Sequence, residues 1–214
     1  MTQNKKYSYD YPRPMVTVDA VIFAVSDLGL DVLLIKRGKD PFAGSWALPG
    51  GFVEIDEGLD DAAARELEEE TGLANIHLEQ FYTFGNPGRD PRGRSISVAY
   101  IGLAGTPDSS MRAADDAAEV RWFPVDDLPE LAFDHEEIIK CALARLRTDA
   151  RRLVVGRHLL SEPFGIRDLQ DVHEAVLGQR LGTAEFERTM LERGLIEKDD
   201  AGSYRFTRSF CACF

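Results

Sequence analysis

Residues 50–73 constrain this chain more than any other stretch. They run Gly50-Gly51-Phe52-Val53-Glu54-Ile55-Asp56-Glu57-Gly58 and end Arg65-Glu66-Leu67-Glu68-Glu69-Glu70-Thr71-Gly72-Leu73. The pattern predicts a loop followed by one helix of about 13 residues, with Gly72 placed for a left-handed C-terminal cap. Glu66, Glu69 and Glu70 are spaced i, i+3, i+4 and share one helix face. Leu59, Ala63, Ala64 and Leu67 form the adjoining apolar stripe. Like charges at i and i+4 destabilise a helix by roughly 0.2–0.5 kcal/mol per pair, and negative charge in the last turn opposes the macrodipole. Local violations of this kind are expected at functional sites. Clustered carboxylates beside a cleft suit a hard cation such as Mg²⁺ or Mn²⁺, which commonly works with a substrate phosphate. The plainer alternative is a solvated acidic face.

The spacing decides between them. Gly51 is followed by five residues, Glu57, seven residues, Arg65-Glu66-Leu67, one residue, Glu69-Glu70, one residue and Gly72-Leu73. Here the chain resembles the Nudix hydrolases, meeting every specified position of their sequence box. The resemblance implies an α+β fold, an α/β/α sandwich with a mixed sheet. It also implies Mg²⁺- or Mn²⁺-dependent hydrolysis of the pyrophosphate bond in a nucleoside diphosphate derivative. By the same resemblance Glu66, Glu69 and Glu70 are metal ligands, helped by the Gly50 carbonyl, and one of them is the base that activates water. Glu57 and Arg65 are a structural pair supporting the loop with Gly51.

Composition fits a globular chain, with 44% hydrophobic and 29% charged residues among 214. No apolar run is long enough for a membrane span and no signal pattern opens the chain, so a cytoplasmic protein is expected. The net charge of −12 disfavours non-specific binding to nucleic acid or anionic membranes. The charge is uneven: residues 1–149 carry 27 acidic and 15 basic side chains, residues 150–214 ten of each. Three segments are expected: an arm at 1–13, a Nudix domain at 14–149 and a winged-helix-like domain at 150–214. Cys211 and Cys213 lie in the terminal tail with no second pair or His nearby, and read as a reduced tail.

Met15–Val25 and Asp31–Arg37 are strand-like runs about a Ser26-Asp27-Leu28-Gly29 turn. Further strands are expected at 47–49, 76–84, 95–103 and 120–123, and a helix from His135 to about Arg147 with Asp134 as its cap. Arg89 and Arg92 lie in the loop Gly85–Arg94. With Arg37 they are the expected substrate-binding residues, because guanidinium matches phosphate oxygens bidentately. Asp115 and Asp116 are loop carboxylates able to complete a metal cluster on closure. Phe23, Phe42 and Trp46 read as core aromatics rather than base-stacking ones, and His135 and His173 as packing or capping residues.

The last 65 residues predict an amphipathic helix at 166–177 stopped by Gly178, a second at 184–193 with Thr183 as cap, and a hairpin across Lys198–Gly202. Helix, helix, hairpin is the order of a winged helix-turn-helix. The whole chain is similar to proteins that join a Nudix domain to a C-terminal winged helix, among them ADP-ribose-responsive transcriptional regulators of NAD metabolism and catalytic ADP-ribose pyrophosphatases. Two functions follow. The first is hydrolysis of ADP-ribose to AMP and ribose 5-phosphate; the alternative is an ADP-ribose-sensing DNA-binding regulator. The complete box favours the enzyme. Glu185, Glu187 and Glu192 beside Arg188 and Arg193 on the presumed recognition helix weaken the case for DNA as partner. The resemblance also implies a homodimer.

Overall fold

The computed structural model describes residues 10–26, 29–105, 117–153, 155–157 and 160–208. Asp115, Asp116, Cys211 and Cys213, with most of the N-terminal arm, lie outside them. Strand β1 (Met15–Ser26) is the axis of the larger domain. Its β-branched, apolar sequence alternates between two buried faces. Val21 and Phe23 pack with Ile138, Ile139 and Ala142 of helix α2 (His135–Arg151). Ala20, Ile22 and Ala24 pack with Leu67 of helix α1 (Leu59–Thr71), and Val18 with Ala62 and Ala63. The two helices therefore cover opposite faces, an α/β/α sandwich.

The remaining strands follow as β2 (Gly29–Arg37), β3 (Trp46–Ala47), β4 (Gly50–Phe52), β5 (Leu78–Phe84), β6 (Ser95–Ala104) and β7 (Ala117–Pro124). The sheet is mixed: β6 runs parallel to β1 from Met15 to Ala24, and the other pairings are antiparallel. With β6 filling one edge of β1, the other edge is divided. Phe23–Ser26 pairs with β2, and Thr17–Asp19 pairs with β4. Ala20 N–H donates to the Pro49 carbonyl at 2.8 Å where the two pairings meet. This division delivers the start of the box to the middle of β1.

Several expectations are corrected. Residues 50–52 form a strand rather than a loop, because Gly50 and Gly51 can lie flat against β1. The short strand before the box is Trp46–Ala47, not 47–49, and β5 starts at Leu78 rather than residue 76. The buried stripe of α1 is Ala62, Ala63, Leu67 and Thr71; Leu59 and Ala64 face solvent. Asp134 does precede α2, but its carboxylate makes no cap and pairs with Arg89 instead.

The C-terminal domain is a winged helix: α3 (Ile166–Leu177), α4 (Thr183–Glu192) and the hairpin β8 (Ile196–Lys198) with β9 (Tyr204–Phe206). Gly182, not Thr183, precedes α4. Glu174 fixes the turn between the helices. Its carboxylate accepts from Gln170 Nε2 at 2.6 Å, from Leu181 N–H at 2.7 Å and from Arg180 Nη1 at 2.6 Å. The domain has its own core of Phe164, Leu169, Phe186, Met190, Leu195, Ile196, Tyr204 and Phe206. His173 is buried beside it, with its Nδ1 2.9 Å from the Leu169 carbonyl.

The two domains also share a core, since Val172 and Val176 of α3 pack with Leu146 and Ala150 of α2 and with Val155. Arg147 Nε donates to the Val176 carbonyl at 3.3 Å across the same junction. Truncating Leu146 to Ala should therefore lower stability by roughly 2–5 kcal/mol. In denaturant, tryptophan fluorescence (Trp46 and Trp122, both in the larger domain) and helical circular dichroism should shift together. Separated transitions would show that the domains unfold independently.

Candidate functional site

The site is built around Arg65. Its Nε and Nη2 grip both oxygens of Glu57 at 3.0 and 2.7 Å, a bidentate pair. Nη2 also donates to the Phe52 carbonyl at 3.2 Å, and Nη1 to Glu66 Oε1 and Glu69 Oε2, both at 3.0 Å. Glu54 N–H donates to Glu57 Oε1 at 2.7 Å. One guanidinium thus ties β4, the following loop and the acidic face of α1. Hydrogen bonds from Arg65 and Glu54 hold the Glu57 carboxyl down to about 2.

Glu70 has a different environment. It is largely buried and accepts from Gly50 N–H at 2.8 Å. Burial pushes its carboxyl up to about 8, against the help of that N–H, and the nearby charges of Glu66 and Asp19 push the same way. Burial also raises Glu66. The two glycines allow this packing. A Cβ on Gly50, whose φ is +155°, would lie 2.1 Å from the Val18 carbonyl oxygen. A Cβ on Gly51 would lie 2.4–2.6 Å from the Glu66 carboxylate.

The donor set fits a hard divalent cation. All the donors are oxygen, and a cation between the half-buried carboxyl groups of Glu66 and Glu70 would favour their ionised forms. Among the described residues, no three acidic, His or Cys side chains converge on one point. Glu66 and Glu69 turn toward Arg65 while Glu70 turns toward Gly50. Gathering the three would require rotation of Glu66 and Glu69 off the guanidinium.

Beside these carboxylates lies a cleft lined by Arg37, Gly50, Gly51, Phe52, Arg92 and Phe133, with Thr17, Asp19, Arg89 and His135 at its base. Arg37 and Arg92 thus border the box. Arg89 lines the same cleft but is already engaged. Its side chain is 5% exposed and paired with Asp134 at 2.6 Å and Asp19 at 3.4 Å. Burial works to lower its pKa, but Asp134 and Asp19 together hold it raised.

Asp19 went unnoticed in the sequence. It occupies the face of β1 that otherwise carries Val21 and Phe23, and it is buried. It accepts from Ser97 Oγ and Arg89 Nη2 and lies 3.6 Å from His135 Nε2. His135 Nδ1 accepts from Leu48 N–H at 2.8 Å, which leaves the proton of a neutral ring on Nε2, facing Asp19. Burial lowers its pKa. The available signal was a lone Asp within Val16-Thr17-Val18-Asp19-Ala20-Val21-Ile22. Glu119 lies on β7 and pairs with Lys36 and Arg121. Phe23 is core, and Trp46 packs on Phe123 at 4.7 Å.

Comparison with known proteins agrees with this architecture. Residues 14–145 match the NUDIX domain family and residues 156–206 the NrtR DNA-binding winged helix domain. The chain is 37% identical over 195 residues to an ADPR responsive transcriptional repressor NtrR of Acinetobacter baylyi, covering 89% of this chain and 78% of that one. It is 44% identical over 136 residues to an ADP-ribose pyrophosphatase of Methanocaldococcus jannaschii, covering 64% and 76%. Shewanella oneidensis NrtR, solved in complex with a 27mer DNA, superposes with a TM-score of 0.76 at 35% identity, covering 92% of this chain and 95% of that one.

Two outcomes follow from the site's electrostatics. Gly51→Ala should leave the fold near wild-type stability, since the clash is with a movable side chain, but displace Glu66. Mn²⁺ titration followed by electron paramagnetic resonance should show weakened binding, and unchanged binding would remove the close-approach argument. Glu70 ionises in the unfolded chain near the ordinary carboxylate pKa of about 4.3 but only near 8 when folded. Stability present below pH 4.3 is therefore lost as pH rises through 8. Metal-free Glu70→Gln should escape this loss, so its melting temperature should gain on wild type between pH 5 and pH 9. A pH-independent difference would contradict the assignment.

Proposed function

This chain belongs to the Nudix family, and on that premise we propose that it is an ADP-ribose-responsive, DNA-binding regulator of transcription. The carrying observation is the NrtR-type winged helix joined to the Nudix domain through a shared core, supported by the repressor relative's match over 89% of this chain and 78% of its own length. In this reading the cleft beside the box receives the nucleotide and the winged helix carries the output. This reverses the order of preference drawn from the sequence, where the complete box ranked the enzyme first.

The charges of the winged helix shape how it would meet DNA. The outward residues of α4 include Glu185, Arg188 and Glu192, with Arg188 Nε 4.0 Å from Glu192. Lys198 is taken up by Glu187 at 3.0 Å. Arg167, Arg193, Arg205 and Arg208 are exposed and available for phosphate contact. A surface of this charge gives weak non-specific affinity and places the burden on base contacts.

A second reading, Mg²⁺-dependent hydrolysis of ADP-ribose to AMP and ribose 5-phosphate, is favoured by the complete set Gly50, Gly51, Glu57, Arg65, Glu66, Glu69 and Glu70 and by the likeness to the pyrophosphatase. A divalent cation at the three glutamates would supply charge neutralisation for the attack of water on the diphosphate. Arg65 and Glu57 would keep the box strand and α1 in register.

One pair of experiments separates the readings. DNA selected by the protein from fragmented genomic DNA should be bound specifically, and ADP-ribose should change that affinity several-fold in a fluorescence anisotropy titration. No enriched fragment, or no ADP-ribose effect, would overturn the regulator. AMP release from ADP-ribose by wild type with Mg²⁺, lost in Glu69→Gln and Glu70→Gln, would establish the hydrolase.

A further inference from the structure

Aromatic rings and guanidinium groups alternate at the mouth of the cleft. The guanidinium carbon of Arg92 lies 4.9 Å from the ring centre of Phe52 and 5.6 Å from that of Phe133. That of Arg37 lies 4.9 Å from Phe133. Phe42 meets Phe133 edge-on at 4.8 Å. Phe133 therefore holds two cations on one ring.

The arrangement is unfavourable in two respects. Phe42 and Phe133 have φ of +66° and +53°, a left-handed conformation that bulky residues rarely adopt. Such strain collects at ligand clamps and active sites. The two guanidiniums are also like charges in a partly buried setting, and burial followed by the Arg92 charge lowers the Arg37 pKa. An anion would relieve that repulsion. Thr17 Oγ1, buried at the base of the same cleft, has no hydrogen-bond partner among the described residues.

The free edges indicate what kind of anion. Arg92 commits Nε and Nη2 to Asp90, and Arg37 commits Nε to the Pro41 carbonyl and Nη2 to that of Lys39. Nη1 of each makes no hydrogen bond among the described residues. The rings cover guanidinium faces, so a ligand meets edges, which suit phosphate oxygens. Two linked phosphates can offer oxygens to both edges.

We infer that Phe133 is a positioning residue that holds Arg37 and Arg92 as a paired clamp for a diphosphate. This rests on the reading of the cleft as the nucleotide site. The test is calorimetric titration of wild type, Phe133→Leu, Phe133→Tyr and Arg92→Lys with ADP, AMP and ADP-ribose. Wild type should prefer ADP to AMP. Phe133→Leu should lose about tenfold in ADP affinity, the scale of one charge-assisted hydrogen bond, while AMP affinity stays within about threefold. Phe133→Tyr, which keeps the ring, should restore ADP binding. Arg92→Lys, which keeps the charge but loses the stacked plane, should repeat the loss and decides the matter where Phe133→Leu does not fold. Unchanged ADP affinity in Phe133→Leu, equal losses for ADP and AMP, or no preference for ADP in wild type would each overturn the clamp. Wild type that prefers ADP but ignores ADP-ribose would support the clamp and overturn the ADP-ribose reading instead.

Discussion

The guanidinium of Arg65 is the interaction on which the rest of the site depends. All three of its nitrogens are engaged, with Glu57, the Phe52 carbonyl, Glu66 and Glu69. These partners come from β4, from the loop after it and from α1, and the carboxylates of the loop and the helix repel one another. A helix with Glu66, Glu69 and Glu70 on one face would be poor in isolation. One fork-shaped cation turns that repulsion into an ordered surface. A lysine could supply the charge but not the five contacts in fixed directions.

The box was legible because its chemistry and its helical period coincide in one continuous stretch. Glu57, Arg65, Glu66, Glu69 and Glu70 could be placed relative to one another from spacing alone, and Gly72 ends α1 in the left-handed region with φ of +74°. The winged helix was legible for the same reason, its helix stops and hairpin being local signals. What escaped was set by tertiary pairing. That Gly50–Phe52 is a strand depends on β1 having an edge to share. That Arg89 is buried in an acidic pairing depends on Asp134, 45 residues away, and on Asp19, 70 residues away. No periodicity reports such meetings. Asp19 left a trace only as one acid in an apolar run, and Phe133 left none, since neither its backbone conformation nor its two cationic neighbours is written locally.

Helix α2 joins these two levels. His135 at its start accepts the Leu48 N–H, two residues before Gly50. Leu146 and Ala150 near its end lie in the core that receives α3. Seventeen residues at 1.5 Å each make a rod of about 25 Å. The box and the winged helix are therefore attached to opposite ends of one rigid element, rather than to a flexible linker.

The triple acceptance by Glu174 has a consequence for how the winged helix can be governed. By seizing Gln170, Leu181 and Arg180 together, it settles the angle between α3 and α4 before any encounter. The pairing of the two helices therefore needs no ordering on contact. On the regulator reading, a signal from the cleft beside the box would have no helix pairing to melt or fold there. It would act by steering the domain as a solid body, in the manner of a key being turned rather than cut.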